Sequence, residues 1–157
     1  MLRGICISVC IGFLLVGCAT NVPLQRDQVA AISRETTPTE LDRILAKATL
    51  VSEFEFDTSK GRFNARNYNL QTGVQSSGTV VCSPACFYVP IYIPVLTQYV
   101  VIQRLPSRSL FAWGTLEELS KDPDDAVSSV MPVLKQRLAE EQEKKKQARS
   151  SATEAAR

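Results

Sequence analysis

The residues of this chain with the most chemical reach are its five cysteines, Cys6, Cys10, Cys18, Cys82 and Cys86. Cys82 and Cys86 flank Ser83-Pro84-Ala85, a turn-forming trio. A chain reversal there brings two cysteines four positions apart to bonding distance, so a structural disulfide is expected. In the loop-entropy description so small a ring contributes only about 2 kcal/mol, which suits fixing a turn better than holding a whole domain. The competing uses are a redox pair and half of a metal site. Thiol oxidoreductases place two residues between their cysteines where this chain has three, and no further cysteine lies nearby to complete a metal site. The chain contains no histidine. That removes the usual general base near neutral pH and the commonest zinc ligand. There is no Gly-x-Ser-x-Gly elbow and no glycine-rich phosphate loop. The carboxylates fall on strand exteriors and at helix starts, where solvation and capping account for them. A protein without catalytic residues, metal or cofactor is expected.

Cys18 sits in a different setting. Arg3 precedes an apolar run from Ile5 to Val16, well short of the roughly 20 residues that span a bilayer, and Leu15-Val16-Gly17-Cys18 closes it with a small residue and a cysteine. In this order the segment resembles the bacterial lipoprotein signal. The resemblance implies that residues 1–17 are removed, that the Cys18 thiol is diacylated, and that Cys18 begins the mature chain. Position 19 is Ala, where the inner-membrane retention signal would be Asp. The implied location is therefore the outer membrane, lipid-anchored and facing the periplasm. Cys6 and Cys10 leave with the signal, so Cys82 and Cys86 are left together in an oxidising compartment. Loss of Arg3 leaves 17 basic against 16 acidic side chains, a net +1. A field that weak gives no basis for a nucleic-acid partner.

The rest of the chain has room for one domain of common size. Residues 18–24 read as a lipidated tether, 25–139 as the domain, and 140–157 as a charged tail. Gln25 to Arg34, with Val29 and Ile32, predicts one or two helical turns. Thr37 is a good N-cap, Pro38 fits the first helical position, and Glu40 completes a Thr-x-x-Glu box. Leu41, Ile44, Leu45 and Ala48 follow at helical spacing, one face for a sheet. From Leu50 the period becomes two, with Ser52, Phe54 and Phe56 on one side and Glu53 and Glu55 on the other. The cluster from Asp57 to Gly61 turns the chain into a second strand, so Arg62 or Arg66 should face Glu53 or Glu55 across a hairpin. Tyr68 and Leu70 have the opposite parity to Phe63 and Ala65. Either the strand bulges near Asn67 or the register differs.

Gln71 to Ser77 is polar and turn-prone, and an apolar stretch then runs from Thr79 to Leu96. Phe87 to Leu96 is apolar at both strand parities, so it is either covered by the C-terminal helix or exposed as a patch. Pro90 and Pro94 share a parity, which puts both missing donors on one lateral edge, as in an edge strand. Recognition of a protein partner through Phe87, Tyr88, Ile91, Tyr92 and Ile93 is expected, since interface cores favour aromatic-rich patches. Two further strands, Tyr99 to Ile102 and Ser109 to Trp113, join around Leu105 to Arg108. Trp113 should pack in the core. Thr115 to Leu119 suggests a helical turn. A final helix starts after Asp122-Pro123, with Val127, Val130, Met131, Leu134 and Leu138 as its stripe and a kink or restart at Pro132. Beyond Ala139 a solvated helix fraying into a disordered tail is expected.

These elements predict an α+β fold: one or two short N-terminal helices on an antiparallel meander of four to five strands, and a C-terminal helix with a charged, frayed tail. At Thr37-Pro38-Thr39-Glu40-Leu41 through Ile44-Leu45 and the strands that follow, the chain resembles the SmpA/OmlA (BamE-like) group of small outer-membrane lipoproteins. Ala46 stands where that group has Gly, and Ser76 to Leu96 has no counterpart in it. The resemblance implies a non-enzymatic scaffold or envelope-assembly role with a protein partner. A lipoprotein that binds a small molecule or envelope polymer, with the apolar strand as a pocket wall, is the first alternative, and an enzyme of unrecognised type the second.

Overall fold

The computed structural model describes residues 22–155, so the signal, cleavage and lipidation readings at Cys18 lie outside the described residues. In order along the chain are α1 (Arg26–Ala30), α2 (Pro38–Leu45), β1 (Leu50–Thr58), β2 (Gly61–Cys82), β3 (Cys86–Arg104), β4 (Ser109–Thr115), α3 (Leu116–Ser120) and α4 (Asp125–Ala155). The four strands form one antiparallel meander in the order β1-β2-β3-β4. The fold is α+β, with four strands among the described residues, within the four to five expected.

Helix α2 begins where its signals place it: Thr37 Oγ1 accepts from the Glu40 N–H at 3.3 Å and Pro38 is the first helical residue. The Glu40 carboxylate turns to Arg43, 3.8 Å away, so only one half of the capping box operates. The β1–β2 turn closes at Gly61, whose φ of 127° lies in a region that side chains with a Cβ rarely adopt. Both arginines meet the carboxylates across the hairpin, Arg62 with Glu55 at 2.5 Å and Arg66 with Glu53 at 3.2 Å.

The parity change in β2 has a cause other than a bulge in that strand. Phe63 and Ala65 face one side and pack with Phe56, Val100, Ile102, Ala112 and the α4 stripe of Val127, Val130, Met131, Leu134 and Leu138. Tyr68 and Leu70 face the other side, with Tyr99, Val101, Leu41 and Leu45. Helices cover both faces of the sheet, so each parity finds a core along the same unbroken strand. The irregularity near Asn67 belongs to β1, between Leu50 and Ser52. Trp113 is half-buried against the α1/α2 cluster.

One boundary differs from expectation, and α4 resolves two points that the sequence left open. Leu24, read as tether, is fully buried and belongs to the domain: its N–H donates to Asn69 O at 2.7 Å, and its carbonyl accepts from the Gln71 N–H at 2.9 Å. Helix α4 runs on through Pro132 without a restart. It also continues through the charged segment to Ala155, with Arg137–Glu140, Glu141–Lys144 and Glu143–Lys146 ion pairs three residues apart. Such exposed pairs support a helix weakly, so a segment without an apolar stripe still holds helical form as the extension of a packed one.

One ionic cluster ties α2 to the sheet. The Arg66 side chain is mostly buried and bonds Asp42 Oδ1 at 2.6 Å as well as Glu53, while Arg108 reaches Asp42 at 3.1 Å. Burial pushes the Asp42 carboxyl up, but the Arg66 hydrogen bond and charge, joined by Arg108, outweigh it and hold the group below its ordinary value. A depressed carboxylate stabilises the fold above its unfolded pKa, and this stability is lost as pH falls through the folded value. Asp42→Asn should therefore lower the melting temperature at neutral pH and flatten its fall as pH drops below the ordinary carboxylate range. Parallel melting-temperature profiles for both proteins down to pH 2 check this; equal slopes would count against it.

Candidate functional site

Two of the strands are much longer than the domain that contains them. Strands β2 and β3 stay paired far beyond the ends of β1 and β4, through Gly73↔Val95 to Cys82↔Cys86. The result is a two-stranded ribbon about 30 Å long, from about 3.4 Å of rise per residue. Gln71 to Ser77 thus continues β2 instead of turning, and the apolar stretch from Thr79 to Leu96 completes β2 and then, past the tip, forms its return strand from Cys86. At the tip Cys82 and Cys86 form the disulfide, with Cα atoms 4.0 Å apart.

The ribbon is exposed on both faces. Phe87 and Ile91 stand on one, at 54 % and 45 % exposure, with Ile93; Tyr88 and Tyr92 stand on the other, at 62 % and 68 %. The C-terminal helix covers the body of the sheet and leaves these five side chains uncovered, which settles the choice between covered strand and exposed patch. All five predicted residues lie on one strand, but alternation divides them between opposite faces. No Lys, Arg, Asp or Glu occurs from Asn67 to Gln103. An exposed apolar surface of this kind is unusual on a protein that remains by itself.

The edges of the ribbon differ chemically. Ser83 N–H donates to Ala85 O at 3.1 Å, so those two residues form a hydrogen-bonded pair and Cys82↔Cys86 is the non-bonded pair beside it. Following the register back, Val80↔Tyr88, Gly78↔Pro90, Ser76↔Tyr92 and Val74↔Pro94 are also non-bonded pairs, whose backbone groups point outward. Pro90 and Pro94 therefore remove two of the outward donors of β3, as the edge-strand reading requires. The β2 edge keeps all of its own, at Val74, Ser76, Gly78 and Val80. Gly78 has a further reason to lack a side chain: a Cβ there would come within 2.1 Å of the Tyr88 ring, which lies across it.

The root is pinned on the same side. Thr72 forms a bulge in β2, and its carbonyl accepts from Arg26 at 2.7 Å. Leu24 occupies the β2 edge just before it. Beside the root, Val22, Leu50, Leu96, Lys145 and Arg149 line a cleft, and Lys145 Nζ donates to the Val51 carbonyl. Among the described residues no group of three or more His, Cys, Asp or Glu side chains converges as a metal site. No described helix is long and apolar enough to cross a membrane.

Residues 73–78, most of the β2 half of the ribbon, are the part that sequence reasoning missed. Their glycines, serines and glutamine read as a loop. The signals that point to a strand are Thr79-Val80-Val81 and the absence of charge from Asn67 to Gln103. Compared with protein-family models, with curated proteins and with solved structures, the chain matches none.

Proposed function

We propose that the protein is a lipid-anchored component of the bacterial outer membrane, facing the periplasm, which acts without catalysis as a protein-binding or envelope-assembly module. The ribbon is its recognition surface. The observation that carries this reading is an uncharged apolar surface held out from the core, on both faces, by two strands of the central sheet. The Leu15-to-Cys18 signal and Ala19 support the location, and the likeness of the α2 region to the SmpA/OmlA group supports a scaffold role. The position of the ribbon outside the core separates recognition from folding energetics.

The test replaces Tyr88 and Tyr92 with Ser in one variant and Ile91 and Ile93 with Ser in another. Thermal stability and recovery of proteins from solubilised outer membrane are then measured. Stability should change by less than about 1 kcal/mol, as for exposed positions. Loss of an anchor worth about 2 kcal/mol should cut partner recovery about thirtyfold in at least one variant. Large stability losses in both variants, or undiminished recovery in both, would overturn the reading. Copurifying glycan or lipid in place of a protein would favour a polymer- or small-molecule-binding lipoprotein.

A further inference from the structure

We propose that the ribbon joins to a second copy of this chain through its β2 edge, forming a four-stranded β3-β2-β2-β3 sheet about a two-fold axis at Ser77. The inference rests on the reading of the ribbon as a recognition surface and names one partner for it.

Four observations converge on this arrangement. First, only one edge can grow: Val74, Ser76, Gly78 and Val80 present outward donors and acceptors, whereas Pro90 and Pro94 interrupt the donors of the opposite edge. Secondly, the free part of the β2 edge lies between the bulge at Thr72, held by Arg26, and the disulfide at Cys82, and its midpoint is Ser77. An antiparallel self-pairing centred there sets Ser76 opposite Gly78 and Val74 opposite Val80 of the second copy. All four are outward-pointing positions, so each pair exchanges two backbone hydrogen bonds. Thirdly, the side-chain rows that meet are compatible. Gln75 faces Thr79, Ser77 faces Ser77 and Val74 faces Val80, and with no charge from Asn67 to Gln103 identical edges meet without like-charge opposition. Fourthly, the assembly closes. An isologous contact uses up both β2 edges, and the outer edges of the joined sheet are the two proline-bearing β3 strands, so growth stops at two copies.

Single cysteines placed in the full chain read out both the contact and its register. Across the proposed axis the two residues 77 are direct neighbours, so Ser77→Cys should give a disulfide-linked homodimer on mild oxidation of membranes, resolved on a non-reducing gel. Gln75→Cys and Thr79→Cys alone should stay at the background of the unsubstituted chain. Each such residue lies four positions, about 13 Å, from its own copy, beyond disulfide reach. The double variant Gln75→Cys/Thr79→Cys should link again. As an independent measurement, the solubilised protein should have twice the molar mass of the chain, and Ser76→Pro should halve that mass while the far-ultraviolet spectrum and melting temperature stay near those of the parent. Absence of Ser77→Cys cross-linking above background, or a monomeric parent, would overturn the inference. Cross-linking of Ser77→Cys to a different envelope protein would also overturn it, and would leave the recognition role of the ribbon standing. Loss of partner recovery in the tyrosine and isoleucine variants fails or succeeds separately from these results.

Discussion

Phe63→Ala is expected to remove about 3–5 kcal/mol of stability, the cost of truncating a fully buried phenylalanine. Phe63 has no exposed surface. Its ring lies 5.7 Å from Phe56 and 4.7 Å from Phe111, centroid to centroid, on the sheet face that α4 covers. Strands on either side and the helix above are held by the rest of the sheet, so the space cannot collapse and the lost contacts are not recovered. A domain of this kind has roughly 5–15 kcal/mol in total, so one substitution consumes a large fraction of it. Phe87→Ala, the same truncation on the exposed ribbon, should stay within about 0.5 kcal/mol of the parent. Urea unfolding of the two variants tests the contrast. A cost below about 1 kcal/mol at Phe63, or equal costs at both sites, would show that the sheet and α4 do not pack as described.

Cys18→Ser is expected to abolish fatty-acid labelling and to move the protein out of the outer-membrane fraction. The expectation comes from the order of charge, apolar run, small residue and cysteine in the first 18 positions, and from Ala19 for the choice of membrane. Two acyl chains contribute about 0.8 kcal/mol per buried methylene, enough for stable anchoring, whereas the serine variant has no equivalent attachment. Metabolic labelling followed by membrane fractionation reads both effects. Label retained in the serine variant would sink the lipidation reading, and label lost with the protein still in the outer membrane would show a second attachment. With only three residues between Cys18 and Val22, four steps that reach at most about 14 Å when extended, an anchored chain would hold the ribbon root close to the bilayer surface.

Sequence patterns made the body of this fold legible wherever one covered face imposed one period. The α2 cap at Thr37-Pro38, the hairpin around Gly61 with its arginine and glutamate pairs, and the α4 stripe all stand where spacing puts them. The disulfide and the proline-bearing edge were legible too, because two cysteines four apart and two prolines of one parity allow few geometries. Tyr68 and Leu70 resisted because period-two reasoning assumes a single core, and this sheet has one on each face. Leu24 was hidden because a leucine beside a proline in so short a segment has no periodicity to report. The far half of β2 was the larger loss. Gly73, Ser76, Ser77 and Gly78 have poor strand propensity, and what makes them a strand is pairing with β3, a contact made from outside the segment.

That weakness gives the tip disulfide a role beyond its small ring. A glycine- and serine-rich strand with no buried face is the kind that slides by a residue or two against its neighbour, since few of its side chains penalise the shift. In this ribbon neither end is free to slide. The root is continuous with the central strands of a packed sheet, and Cys82 is covalently tied to Cys86 at the far end. A slip would have to be absorbed between two fixed points, so the rows of side chains on each face, and the spacing of donors along the β2 edge, stay constant. The bond thus acts as a ruler stop: it keeps a strand of weak intrinsic preference in the one alignment where its outward groups have a defined order.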